Sequence, residues 1–194
     1  MTVLDSFTVV VVPGLRDHVA EHWQTLLLQN LQLKNQPVIA VDPLGRENLS
    51  CAERVLALEA AVGRIHGPVI LVAHSGGVIT VAHWAVQTAR TVHSALLVAP
   101  PDFEIPLPAG YPSLAELDAG GWLPVPRKRL PFRSLVCTSQ NDPLAAMDKA
   151  QSLAADWGSR VLDLGAVGHV NPASGFGPWP RAEELLAALA SDGA

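Results

Sequence analysis

Short runs of consecutive apolar residues alternate along this chain with longer stretches in which apolar residues recur every three or four positions. The runs Phe7–Val12, Pro37–Val41, Val69–Val72, Ser94–Ala99, Ser134–Ser139 and Arg160–Leu164 predict six strands. Unbroken apolar runs of this length suit strands covered on both faces. Between them, His18–Leu31, Leu49–Ile65, Gly76–Ala89, Leu144–Trp157 and Pro180–Ala190 predict helices. Val55, Leu58 and Val62 mark the buried face of the second helix, which Gly67-Pro68 stops. Strands alternating with helices imply right-handed crossovers and a mostly parallel sheet with helices on both faces, an α/β fold. If the sheet is doubly wound, the expected spatial order is 2-1-3-4-5-6, with a ligand crevice between strands 1 and 3. The rhythm breaks once, over the proline-rich stretch Pro100–Pro131. It reads as a partly helical excursion over the C-terminal edge of the sheet, with a short helix at Leu114–Leu117. No repeat, linker or separate cap domain is expected, so residues 1–194 read as one domain.

Composition narrows the function classes. Hydrophobic residues make up 49% of the 194 positions and charged residues 16%, enough apolar side chains for a sizeable core. The formal net charge is −5, and the densest basic cluster is Arg127-Lys128-Arg129. Without a basic stripe to neutralise phosphates, nucleic-acid binding is not expected. Cys51 and Cys137 form neither a disulfide framework nor a zinc pattern, and Cys137 reads as a buried thiol within a strand. Residues Met1 to Ser6 lack the basic start and apolar stretch of a signal peptide. No apolar run approaches the ~18 residues of a membrane span. A cytoplasmic, membrane-free protein is the expectation. His18 and His22 stand four apart at a predicted helix start, but no third ligand is evident nearby, so no metal is expected.

The third strand runs directly into Ala73-His74-Ser75-Gly76-Gly77. Small-x-Ser-x-Gly between a strand and a helix is the nucleophile-elbow pattern, a turn so tight that residues two before and two after the serine must be small. A serine hydroxyl needs a base to take its proton, and the base needs an acid to hold its tautomer. Asp142 follows the fifth predicted strand and His169 the sixth, so Ser75, Asp142 and His169 stand in the order Ser, acid, His. Asp102, after the fourth strand, is the rival acid. Asp142 also precedes Pro143, as an ordinary helix N-cap would. Charge on an attacked carbonyl needs preorganised N–H donors, and the backbone of Leu15 and Gly76 occupies the expected positions. His74 adjoins the serine but is expected to point away from it in a structural role. The segment Pro13-Gly14-Leu15-Arg16-Asp17 carries no phosphate-loop motif, which weakens a flavodoxin-like nucleotide-binding reading.

With these residues in place, the chain resembles the small serine-hydrolase family of YdeN and retinoblastoma-binding protein 9, within the α/β-hydrolase superfamily. The resemblance spans nearly the whole chain. It is carried by Val12-Pro13-Gly14-Leu15-Arg16-Asp17 with Glu21-His22-Trp23-Gln24, by Ala73-His74-Ser75-Gly76-Gly77, by Leu97-Val98-Ala99-Pro100-Pro101, by Asn141-Asp142-Pro143, and by Gly168-His169-Val170-Asn171 with Ser174-Gly175. It implies a compact α/β-hydrolase fold, with Ser75, Asp142 and His169 as catalytic residues and no cofactor. It also implies activity on small carboxylic esters, with thioesters or amides as related substrates. Short acyl groups, acetyl to butyryl, are expected. Two departures stand out. The residue after the nucleophile is often as large as leucine but is Gly76 here, which is expected to loosen or widen the pocket. The segment Asp42–Ser50 lacks the aromatic residues expected after the second strand. The alternative is a protein-interaction module on a hydrolase scaffold, with Pro100–Pro131 as its surface.

Overall fold

The computed structural model describes residues 3–191. Residues 1–2 and 192–194, which the expected domain includes, lie outside the described residues. Strands β1 (Thr8–Val12), β2 (Val38–Ala40), β3 (Val69–His74), β4 (Ser94–Val98), β5 (Arg133–Thr138) and β6 (Arg160–Asp163) form one sheet in the order β2-β1-β3-β4-β5-β6. The order is the expected one. Every pairing is parallel, where a mostly parallel sheet was expected.

Side chains on alternate strand positions feed two cores. Val10, Leu71, Ala73, Leu97 and Val136 face one core, while Val9, Ile70, Val72, Leu96 and Cys137 face the other. Helices α2 (Cys51–Gly63), α3 (Gly76–Ala85) and α5 (Met147–Trp157) cover the first face. Helices α1 (Trp23–Leu33) and α6 (Arg181–Ser191) cover the second. Chain direction across the sheet reverses between α1 and α2. With right-handed crossovers, that reversal must place the two helices on opposite faces and leave the strand ends of β1 and β3 open between them.

The starts of α1 and α5 lie furthest behind those that the sequence pattern predicts. His18–His22 is not helical, because His22 is the N-cap of α1: its backbone is extended and its ring accepts the Gln24 N–H. Likewise α5 starts at Met147 with Ala146 as N-cap. Asp142 therefore does not cap this helix. The excursion after β4 includes α4 (Leu114–Ala119), begun by a capping box between Ser113 and Glu116. Its side chains Phe103, Leu117 and Trp122 are buried in the first core, and Trp122 Nε1 donates to Leu49 O at 2.8 Å. Among the described residues, no helix is long and apolar enough to cross a membrane.

Candidate active site

Ser75 joins β3 to α3 with φ 53° and ψ −129°, backbone angles that a non-glycine residue adopts only under constraint. The constraint comes from both sides. The Ser75 N–H donates to Val98 O at 2.9 Å, and Ser75 O accepts the Val78 N–H at 2.8 Å, opening the helix. Gly77 is required here: a Cβ on it would lie 2.5 Å from Pro13 O and 2.6 Å from Val12 O, both backbone atoms.

His169 reaches this elbow from the loop after β6. Its Nε2 is 2.7 Å from Ser75 Oγ. Its Nδ1 is 2.9 and 2.8 Å from the two carboxylate oxygens of Asp142. A carboxylate can only accept, so Nδ1 carries the proton and the Nε2 lone pair faces the serine hydroxyl. Both side chains are nearly closed to solvent, His169 at 3% and Asp142 at 4%. The rival Asp102 is engaged elsewhere: it pairs with Lys149 at 3.3 Å and accepts the Glu104 N–H at 3.0 Å.

Two side chains to which the sequence reading gave no role of their own, Asn141 and Ser139, stitch the two loops together. Asn141 Oδ1 accepts the Gly168 N–H at 2.7 Å, and Ser139 Oγ accepts the Val167 N–H at 3.2 Å. Asp142 Oδ1 also accepts the Leu144 N–H at 2.8 Å, an Asx turn that fixes the carboxylate on its own loop. Gly168 has φ 64°, and a Cβ there would collide with Ser174.

His74 has a structural contact, but with the histidine loop. Its Nε2–H donates to His169 O at 2.9 Å, and the two rings lie 5.0 Å apart. His22 packs against His74 at 4.6 Å. Burial, and then the neighbouring His169 and His22, hold the His74 pKa well below the usual histidine range. Burial, then His169 and His18, push His22 down to about 4. His18 itself donates from Nε2 to Val41 O at 3.0 Å, so the two histidines serve separate contacts.

Gly14 brings the loop after β1 against the serine, its would-be Cβ lying 3.3 Å from Ser75 Cβ. Gly76 opens α3, where a first-turn N–H has no partner within the helix. A Cβ on Gly76 would sit 2.7 Å from Leu15 Cγ and 3.4 Å from Leu15 N. The space left by glycine is thus filled by the Leu15 side chain.

A cavity of about 480 Å³ opens over Ser75 and His169. Leu49, Phe103, Leu107, Tyr111 and Leu144 give it apolar walls, while Arg16, Asp17, Arg46, Glu47 and Glu116 bring charge to its lining. Segment 42–50 contributes Arg46, Glu47 and Leu49 rather than aromatics. Trp179 is not among the lining residues; it packs edge-on against Trp23 at 5.0 Å.

Among solved structures, a protein described as a YdeN-like hydrolase from Pectobacterium atrosepticum is 28% identical, with a TM-score of 0.80 over 97% of this chain and 92% of that one. The ydeN gene product of B. subtilis aligns at 17% identity and a TM-score of 0.76, covering 95% and 99% of the two chains. Est1E of Butyrivibrio proteoclasticus, solved with ferulic acid bound, aligns at 11% identity and a TM-score of 0.69, covering 94% and 86%. No curated protein matches the sequence. The serine hydrolase family model matches residues 9–188, nearly the entire chain. The chain belongs to the serine hydrolase family.

Proposed function

We propose that the protein hydrolyses small carboxylic esters through an acyl-enzyme, with Ser75 as nucleophile, His169 as base and Asp142 as the acid that orients it. The observation that carries this reading is the continuous line from Ser75 Oγ through the His169 ring to Asp142, with contacts of 2.7 and 2.8 Å at its two ends. Ser75 Oγ attacks the ester carbonyl carbon and passes its proton to His169 Nε2. Asp142 stabilises the resulting imidazolium through Nδ1. The negative charge on the carbonyl oxygen is received by the N–H groups of Leu15 and Gly76. His169 then returns the proton to the leaving alcohol, and a water molecule, deprotonated by the same ring, releases the acid.

Short acyl groups, acetyl to butyryl, fit the lining. A methylene chain gains ~0.8 kcal/mol per buried CH₂ only while it lies on apolar wall. Arg16, Arg46 and Glu47 share the lining with the apolar side chains, so the apolar wall offered to an acyl chain is limited. Thioesters and amides pass through the same tetrahedral geometry and are the related substrates to assay. The deciding experiment is labelling of the purified protein with a fluorophosphonate probe beside Ser75→Ala. Labelling of the wild type alone is expected. Equal labelling of both proteins, or of neither, overturns the assignment.

A further inference from the structure

Arg54 lies on α2 one turn before Leu58, on the helix face turned to the core, and is only 6% exposed. A guanidinium keeps its proton in a protein, so this charge is held inside the fold and must be matched. Its Nη1 donates to Asp17 Oδ1 at 3.1 Å, and the Asp17 side chain is itself 11% exposed. Its Nη2 lies within hydrogen-bond distance of three carbonyl oxygens that share its two N–H donors, those of Leu15 at 3.2 Å, Gly45 at 3.2 Å and Asn48 at 3.1 Å. Asp17 Oδ2 accepts the Gly45 N–H at 2.7 Å, and the Asp17 N–H closes a turn on Gly14 O at 3.0 Å. One side chain thereby ties together the loop after β1, the loop after β2 and helix α2.

A buried ion pair adds little net stability over apolar side chains of the same volume. What distinguishes this one is where both ends close: on the segment that carries the Leu15 N–H. The N–H and C=O of Leu15 belong to the two peptide units flanking one Cα. Holding the carbonyl therefore limits the torsions that aim the N–H.

We propose that Arg54, with Asp17 as its counter-ion, is a positioning residue that keeps the Leu15 N–H aligned with that of Gly76; the proposal rests on the reading of Ser75 as nucleophile. The alignment matters because an oxyanion donor acts only at short range, and a misplacement near 1 Å costs on the order of 10²-fold in rate.

Arg54→Lys tests it. Lysine keeps the charge but offers a single nitrogen, which cannot hold Asp17 Oδ1 and the loop carbonyls at once as Nη1 and Nη2 do. With p-nitrophenyl acetate, kcat is expected to fall about 10- to 100-fold while KM stays within about threefold. The rate ratio of an oxoester to its thionoester should fall by a similar factor, because sulfur gains little from the oxyanion donors. Circular dichroism and gel filtration establish that the variant is folded. Asp17→Asn, which removes the counter-charge at nearly constant shape, should move kcat and the ratio in the same direction and decides the matter if Arg54→Lys does not fold. A folded variant with unchanged kcat, or with a loss equal for oxoester and thionoester, overturns the proposal. Hydrolysis lost in Ser75→Ala but unaffected in Arg54→Lys overturns the clamp alone. Hydrolysis retained in Ser75→Ala overturns the underlying reading of Ser75.

Discussion

Acidification should destabilise the fold through His22, and the size of the effect follows from its surroundings. The ring is buried between Trp23, 5.6 Å away, and His74, 4.6 Å away, and its pKa is lowered from 6.5 to about 4, chiefly by burial. The unfolded state therefore binds the proton more tightly than the folded one. The stabilisation is complete above pH 6.5 and is lost as pH falls toward 4. In full the difference is worth about 3 kcal/mol, of which about 2 kcal/mol is gone by pH 5. His74, also lowered by burial, adds a loss of the same sign. There is a local reason as well: His22 Nδ1 accepts the Gln24 N–H at 3.2 Å, and a protonated Nδ1 would set donor against donor at the start of α1. Asparagine also caps helices but does not titrate, so His22→Asn isolates the contribution. Urea unfolding at pH 7, 6 and 5 should show the wild type losing about 2 kcal/mol more than His22→Asn between pH 7 and pH 5. Parallel stability profiles for the two proteins would refute the argument.

Gly77→Ala would press a Cβ to 2.5 Å from Pro13 O and 2.6 Å from Val12 O, and should cost about 3 kcal/mol in thermal unfolding along with most activity. Gly76→Ala would clash only with the Leu15 side chain, at 2.7 Å from Cγ, while its 3.4 Å approach to Leu15 N is ordinary contact, so its smaller loss should be recovered in the Leu15→Ala, Gly76→Ala double variant. Asp142→Asn should lower kcat by roughly 10²–10⁴ because the imidazole loses its orienting partner. Asp102→Asn should leave kcat near wild type, since Asp102 is held by Lys149 and the Glu104 N–H; the reverse pattern would reassign the acid. Across p-nitrophenyl esters, kcat/KM should level off by butyrate, and a continued rise to decanoate would contradict the limited apolar wall of the cavity. Burial pushes both thiols, Cys51 and Cys137, up to about 12, so the native protein should resist iodoacetamide at pH 8 until urea unfolds it.

Local chemistry made some of these features legible without coordinates. Six apolar runs separated by helical stretches admit few arrangements once crossovers must be right-handed, which is why the order β2-β1-β3-β4-β5-β6 could be anticipated. The elbow was readable because its backbone tolerates only small neighbours around Ser75, a demand written in adjacent residues. Helix starts were less legible. The apolar spacing of His18–His22 and of the residues after Asp142 fits a helix, but side-chain hydrogen bonds to nearby N–H groups hold both stretches off that path.

Partnership between residues distant in sequence was decided only by the tertiary structure. Periodicity could not choose between Asp142 and Asp102, since each follows a strand; Lys149 on α5 and His169 after β6 take one carboxylate apiece. Nor could it show that Leu15 fills the room left by Gly76, or that His74 packs on His169. Arg54 did leave a trace, a cation one turn before Leu58 on the apolar stripe of α2, but its carbonyl partners come from two loops. Spacing along the chain reports which face a side chain shares, because that follows from the repeat of a helix or strand. What a side chain touches across elements depends on how the elements dock, and that is settled by packing the whole sheet and its two helical layers at once.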